Sequence, residues 1–337
     1  MSNTAYSPLK AGIVGAGLMG RWHSSVIQRL GVQTACILDT NHQLALQLSA
    51  KLKNNPAVFS SLDEMLSCVQ LDVLHICTPV ESHYPIAMAA IDAGVHVVVE
   101  KPLATSVDKT QSLLTAATAK NVKVCPVHQF GFQAGTQKAI SHQDSLGELL
   151  HLRFTTGSAG ASGQTQSALN DVIADIIPHP LSVLQRIRPN IKLDTRQWSG
   201  VHSRKGELQL IGEANGIGID IYISMNTRPT RCEMELFFTD GRIVLNFFHG
   251  YALIEKGKVS RIQKLVQPFK YALNQLFVAG LNISKRSLMG EHAYPGLYSL
   301  ISEFYSSVKN NTVSPIAAED ILNVAIARDN LVGRFLK

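Results

Sequence analysis

The sequence predicts two domains: an α/β domain on a parallel sheet over residues 1–127, then an α+β domain with a largely antiparallel open sheet over residues 128–337. Three observations carry this. Apolar runs alternate with helical periodicities up to Val127. Beyond it, strand-like runs follow one another directly. A length of 337 residues accommodates about two domains, each with its own core.

In the first domain, Leu9 to Gly15 reads as a buried strand, and Leu18 to Leu30 as a helix with Trp22, Val26, Ile27 and Leu30 on one side. Val32 to Leu38 is a second strand ending at Asp39, followed by a helix from His42 to Lys53 and a short strand around Val58. The apolar run Leu71 to Ile76 stops at Thr78-Pro79, and a helix from Glu81 to Ala93 ends at Gly94. Val95 to Val99 is almost wholly β-branched, the composition of a strand buried on both faces. Strands separated by such helices imply right-handed crossovers and a parallel sheet.

In the second domain, Leu149 to Thr155, Ile191 to Ser199, Ile217 to Ser224, Arg231 to Phe238 and Arg242 to Phe247 read as strands. Asp240-Gly241 marks a turn between two of them. The one intervening helix expected runs from Pro178 to Ile187; further helices are expected near 269–283, 294–309 and 317–334. No repeat or low-complexity segment occurs.

Composition narrows the function classes. With 45% hydrophobic and 17% charged residues, the chain is neither disordered nor fibrous. Met1 to Lys10 lacks the apolar core of a secretory signal, and no apolar stretch approaches the roughly 18 residues of a membrane span. Five scattered cysteines, none in Cys-x-x-Cys spacing, argue against a disulfide framework or zinc site and for a cytoplasmic setting. The 12 histidines show no metal-ligand spacing and no Gly-x-Ser-x-Gly elbow occurs, so neither a metal centre nor a serine hydrolase is expected. Residues 255–286 hold seven Lys and Arg against Glu255 alone, which accounts for the entire net charge of +6. Basic charge confined to one segment does not indicate a nucleic-acid partner.

Gly15-Ala16-Gly17-Leu18-Met19-Gly20 lies where the first strand passes into the first helix. In a Rossmann domain the first glycine makes the tight turn, the second admits a pyrophosphate and the third lets helix pack on strand. The helix start then offers free N–H groups to the phosphates. Asp39, 19 residues beyond Gly20 at the end of the second strand, is placed to accept the adenosine ribose hydroxyls. Its carboxylate repels a 2′-phosphate, and Thr40 and Asn41 supply no arginine to bind one, so NAD is expected over NADP.

Gly12 to Gly20, Cys77-Thr78-Pro79, His83, Ala93 to His96 and, above all, Glu100-Lys101-Pro102-Leu103-Ala104 resemble the signature of the Gfo/Idh/MocA oxidoreductases. The resemblance implies contacts to the cofactor from Gly15, Gly17, Leu18, Met19, Gly20, Asp39, Thr78, Pro79, His83, Glu100 and Lys101. It also implies a sugar, polyol or sugar-nucleotide substrate and a homodimer or homotetramer. Lys101 follows a buried strand, so its ammonium emerges at the carboxyl edge of the sheet, where it can stabilise a developing alkoxide. In the family an Asp-x-Gly-x-His segment faces the nicotinamide; Asp175 and His179 take those positions, with Ile177 in place of the glycine and Pro178 expected to open a helix. Histidine is suited to exchange a proton near neutral pH, oriented by a carboxylate. Substrate contacts are expected from Lys101, His128, Asp175 and His179; the arginine many relatives carry near His128 is absent. The reading is an NAD(H)-dependent dehydrogenase or reductase acting on CH–OH groups. The alternatives are a non-catalytic dinucleotide sensor and a reductase of a non-sugar double bond.

Phe269, Ala272, Leu273, Leu276, Phe277, Gly280 and Leu281 recur on one helical face, flanked by Lys264, Lys270, Lys285 and Arg286. Two readings stand: a core-facing or oligomer-contact helix, and a helix lying on an anionic membrane surface.

Overall fold

A computed structural model describes residues 9–161, 163–257, 261–288 and 293–337. Lys258, the side chains of Arg261 and Lys264, and the stretch 1–8 used to argue against a secretory signal lie outside the described residues. The chain divides into two compact units: one runs up to Val127 and includes Leu300–Leu322, the other is His128–Ser299 with Asn323–Lys337.

The first unit strings β1 (Lys10–Val14), α1 (Leu18–Arg29), β2 (Gln33–Leu38), α2 (His42–Ser49), β3 (Ala57–Phe59), α3 (Leu62–Cys68), β4 (Val73–Ile76), α4 (His83–Asp92), β5 (His96–Val99), α5 (Val107–Ala119) and β6 (Val124–Pro126). All pairings are parallel, in the order β3-β2-β1-β4-β5-β6. The winding reverses between β1 and β4, and ligands of open α/β sheets bind in the crevice at such a point. Val97, Val98 and Val99 are fully buried, as strands covered on both faces must be. Two helices escape the hydrophobic pattern. In α3 only Met65 is buried, and the helix is set by its Ser61 cap with Asp63 and Glu64 in the first turn. In α5 serines and threonines dilute the apolar face, and Ser106 caps the start.

The second unit holds α6 (Ala134–His142), β7 (Leu149–Gly157), α7 (Gln166–Ile176), α8 (Pro178–Ile187), β8 (Ser199–Val201), β9 (Glu207–Ala214), β10 (Ile217–Ser224), β11 (Arg231–Phe238), β12 (Gly241–Asn246), β13 (Tyr251–Lys256) and α9 (Arg261–Leu288). After it come α10 (Leu297–Lys309) and α11 (Ala318–Phe335). Seven strands form a mixed sheet in the order β13-β12-β11-β7-β10-β9-β8, antiparallel throughout except for β7 beside β10. The expectation of a single intervening helix is corrected: α7, started by the Thr165 cap, also interrupts the strands, while α6 precedes the first of them.

The strand expected over Ile191 to Ser199 is also corrected. Ile191, Leu193 and Thr195 are buried in alternation, the periodicity of a strand, yet residues 191–198 join no ladder. Alternation reports which side chains are buried, and an extended segment crossing a core satisfies it without strand pairing. Three of the segment's carbonyls go instead to one guanidinium: Arg334 Nη1 donates to Thr195 O (2.9 Å) and Arg196 O (2.7 Å), and Nη2 to Trp198 O (2.9 Å). The Trp198 ring occupies the place a side chain at residue 212 would need; a Cβ on Gly212 would lie 2.3 Å from it.

The core-facing reading of the apolar row in α9 is overturned. Phe269, Leu276 and Phe277 are each more than 70% exposed.

Replacing Arg334 by Gln deprives three carbonyls of a charged donor. The expected loss is about 2–3 kcal/mol of unfolding free energy, seen as a lower urea midpoint at unchanged slope; a midpoint unchanged from the wild type contradicts this account of the segment.

Candidate active site

At the carboxyl edge of the first sheet, the turn after β1 is shaped by contacts no side chain could enter. Gly15 has φ +96°, and a Cβ there would lie 2.6 Å from the Cys77 carbonyl oxygen. A Cβ on Gly20 would lie 1.8 Å from the Gly15 carbonyl oxygen, so α1 can sit this close to the turn only with glycine at that position. Gly17 is different: a Cβ there meets nothing within 4 Å, leaving open space where the resemblance places a pyrophosphate. The helix it begins has no side-chain cap, whereas α2, α3 and α5 are capped by Asn41, Ser61 and Ser106. Uncapped N–H groups beside open space, with the exposed Leu18 over the turn, fit a dinucleotide phosphate. Asp39 is half-buried; one carboxylate oxygen accepts the Ala16 amide at 2.6 Å and the other the Asn41 amide at 2.7 Å. The acidic residue thus fixes the glycine turn as well as standing at the end of β2.

The Thr78-Pro79 turn after β4 is braced by Ser82, whose hydroxyl donates to Thr78 Oγ1 at 2.7 Å. His83 is buried with Nδ1 2.9 Å from Pro102 O and Nε2 2.8 Å from Thr78 O. Its ring ties the two loops together, so the residue expected to touch the cofactor engages backbone on both nitrogens. Lys101, directly after β5, is half-buried, and the peptide bond to Pro102 is cis.

Glu100 faces inward to a group of residues that pattern reading did not connect. His23 Nε2 lies 3.1 Å from Glu100 Oε1, His23 Nδ1 lies 2.8 Å from His75 Nδ1, and His75 Nε2 lies 2.9 Å from the Tyr305 hydroxyl. The partners assign the protons. A carboxylate only accepts, so His23 donates from Nε2; with both rings neutral, His75 donates from Nδ1 to His23 and accepts from Tyr305. Burial and the adjacent His23 ring hold His75 well below the ordinary histidine range, and burial pushes the Tyr305 hydroxyl up. Burial and the Glu100 charge likewise push up the Cys77 thiol. Glu100 is thereby tied to the core immediately before Lys101. The signal in the sequence was His75 inside the otherwise apolar run Val73 to Ile76; His23, between Arg21 and Ser24-Ser25, carried none.

In the second unit, His128 is buried just before a 3-10 turn, Gln129–Phe132. Phe130 in that turn stacks on His179, ring centroids 4.3 Å apart, and on Phe247, 4.6 Å apart. Asp175 ends one helix and His179 begins the next; Ile177 between them is helical (φ −49°, ψ −41°), so residues four apart come to one side of the chain despite Pro178. A cation meets this turn from α8: the Arg186 guanidinium carbon lies 4.3 Å from the centre of the Phe132 ring. His179 and Arg186, seven residues apart on one helix, both meet this turn.

Residues 9–128 match the profile of an oxidoreductase family with an NAD-binding Rossmann fold. That profile is the one of the Gfo/Idh/MocA oxidoreductases, and the match falls on the first unit of the chain. The chain is 26% identical over 333 residues to an inositol 2-dehydrogenase of Pseudomonas fluorescens (strain SBW25), covering 95% of this chain and 92% of the relative. Among solved structures, UDP-N-acetylglucosamine 3-dehydrogenase from Acidithiobacillus ferrooxidans shares the fold with a TM-score of 0.72 at 18% identity, covering 98% of this chain and all of that one. The WlbA dehydrogenase from Bordetella pertussis, solved with NADH and UDP-GlcNAcA, aligns with a TM-score of 0.73 at 17% identity, covering 97% of each chain.

The buried neutral His75 has a consequence for pH. In the unfolded chain this ring takes up a proton below about pH 6.5, whereas the folded ring stays neutral. The unfolded state then binds more protons, so stability falls as pH drops from 7.5 to 5.5. Replacing His75 by Leu lowers stability at both pH values but flattens this loss by about 1 kcal/mol. Urea midpoints at the two pH values check it; an equal slope in both proteins contradicts a neutral His75.

Proposed function

We propose that this chain is an NAD(H)-dependent oxidoreductase that interconverts a secondary alcohol and a ketone on a sugar, polyol or sugar nucleotide. The observation that carries the reading is Lys101 leaving β5 at the same sheet edge as the uncapped glycine turn. The named activities of the relatives support the substrate class.

The contacts are assigned as follows. The N–H groups of Leu18, Met19 and Gly20 and the space at Gly17 take the pyrophosphate, and Asp39 takes the adenosine ribose, which favours NAD over NADP. Thr78, Pro79 and Glu100 shape the wall, and His83 positions that wall by joining Thr78 to Pro102. Bound NAD supplies the hydride acceptor. Lys101 places its ammonium against the substrate oxygen and stabilises negative charge developing there. His179 takes the hydroxyl proton during oxidation and returns it during reduction, oriented by Asp175. His128 contributes to the substrate surface, and Arg186 offers a cation to an acidic substrate group. Subunits pair into a homodimer or homotetramer through the second sheet, on which Ile211 of β9 is exposed.

Lys101→Met tests the assignment in a screen of polyols, keto-sugars and nucleotide sugars followed by NADH fluorescence. On the substrate the wild type turns over, kcat is expected to fall about 100- to 10,000-fold while the variant still binds NADH. Retained turnover in the variant contradicts the role given to Lys101.

A further inference from the structure

The helix α9 is amphipathic in the reverse sense: its polar side meets the protein and its apolar side faces out. Gln267 donates to Glu255 Oε1 at 3.2 Å, and Asn282 to His249 O at 2.7 Å. The Arg286 guanidinium donates to the same carbonyl at 3.2 Å, and the Tyr271 ring lies 5.3 Å from the guanidinium of Arg242 on β12. These residues recur at helical spacing and fasten α9 to the β12–β13 edge of the second sheet. The opposite side carries Leu265, Phe269, Leu273, Leu276, Phe277 and Leu281, between 63% and 77% exposed. So long an exposed apolar row on a soluble surface marks an interaction site.

We propose that this face docks on an anionic lipid surface. Charge selects the occupant. The helix has five Lys and Arg residues and no acid, and residues 255–286 carry the whole net charge of the chain. Lys270 and Lys285 are exposed beside the apolar row. A second copy brought onto the same patch by two-fold symmetry would set this charge against itself, which costs free energy. Anionic headgroups attract it, while Leu and Phe side chains enter the acyl boundary. Among the described residues no helix is long and apolar enough to cross a membrane, so the helix lies in the plane of the surface. The proposal is independent of the chemistry assigned to the first unit.

The test is co-sedimentation of the full chain with phosphatidylcholine vesicles, with and without phosphatidylglycerol. Partition is expected to rise at least tenfold with the acidic lipid and to fall again in high salt. Lys270→Glu with Lys285→Glu lowers it about tenfold or more. Phe269→Glu with Phe277→Glu abolishes it. All four positions are exposed, so the urea midpoints stay at the wild-type value. Equal recovery in the supernatant with both vesicle types overturns the proposal. So does a wild-type dimer in light scattering that becomes monomeric in the Phe269→Glu, Phe277→Glu variant while neither protein sediments; the face would then belong to a second copy.

Discussion

The first unit depends on one close approach, between the start of α1 and the end of β1. The Gly15 carbonyl sits where a Cβ of residue 20 would be, and Gly15 itself is pressed against the end of β4. That contact sets an uncapped helix start at the point where the strand order reverses. The bond from the Ala16 amide to Asp39 then locks the turn to β2, so the acidic residue and the uncapped amides of the helix start hold a fixed relation. Overpacking here would not be absorbed by rotamer changes, because the clashing atoms are backbone.

The loop bearing Lys101 is held from two sides by histidines. His83 joins Pro102 to the Thr78 carbonyl, and the chain Tyr305–His75–His23 ends on Glu100. A buried polar chain is costly unless each member is satisfied. Here each contact has a donor and an acceptor when every proton points from Tyr305 toward Glu100. The arrangement keeps Glu100 anchored inward and leaves Lys101, the next residue, to the sheet edge. Supporting contacts of this kind hold a functional side chain within the narrow geometry that chemistry needs.

Local punctuation made the first sheet, the glycine turn, Asp39 and the Glu100-Lys101-Pro102 segment legible, because glycines, prolines and β-branched runs act through the backbone. What stayed hidden depends on contacts distant in sequence. His23, His75 and Tyr305 are separated by 52 and 230 positions, and nothing in any one window links them. Arg186 reaches the turn after His128 from α8, a contact that no single window of sequence shows. The false strand at 191–199 arose because burial alternates there while Arg334, far along the chain, takes the carbonyls. The apolar row of α9 was visible, but its direction was not: period alone cannot tell which side of a helix meets the protein.

The account rests on a dinucleotide held by the glycine turn and Asp39. Calorimetric titration of the purified, cofactor-stripped chain measures this directly. The account predicts saturable heat with NADH and weaker binding of NADPH, whose 2′-phosphate would meet the Asp39 carboxylate. No heat with either cofactor would contradict it.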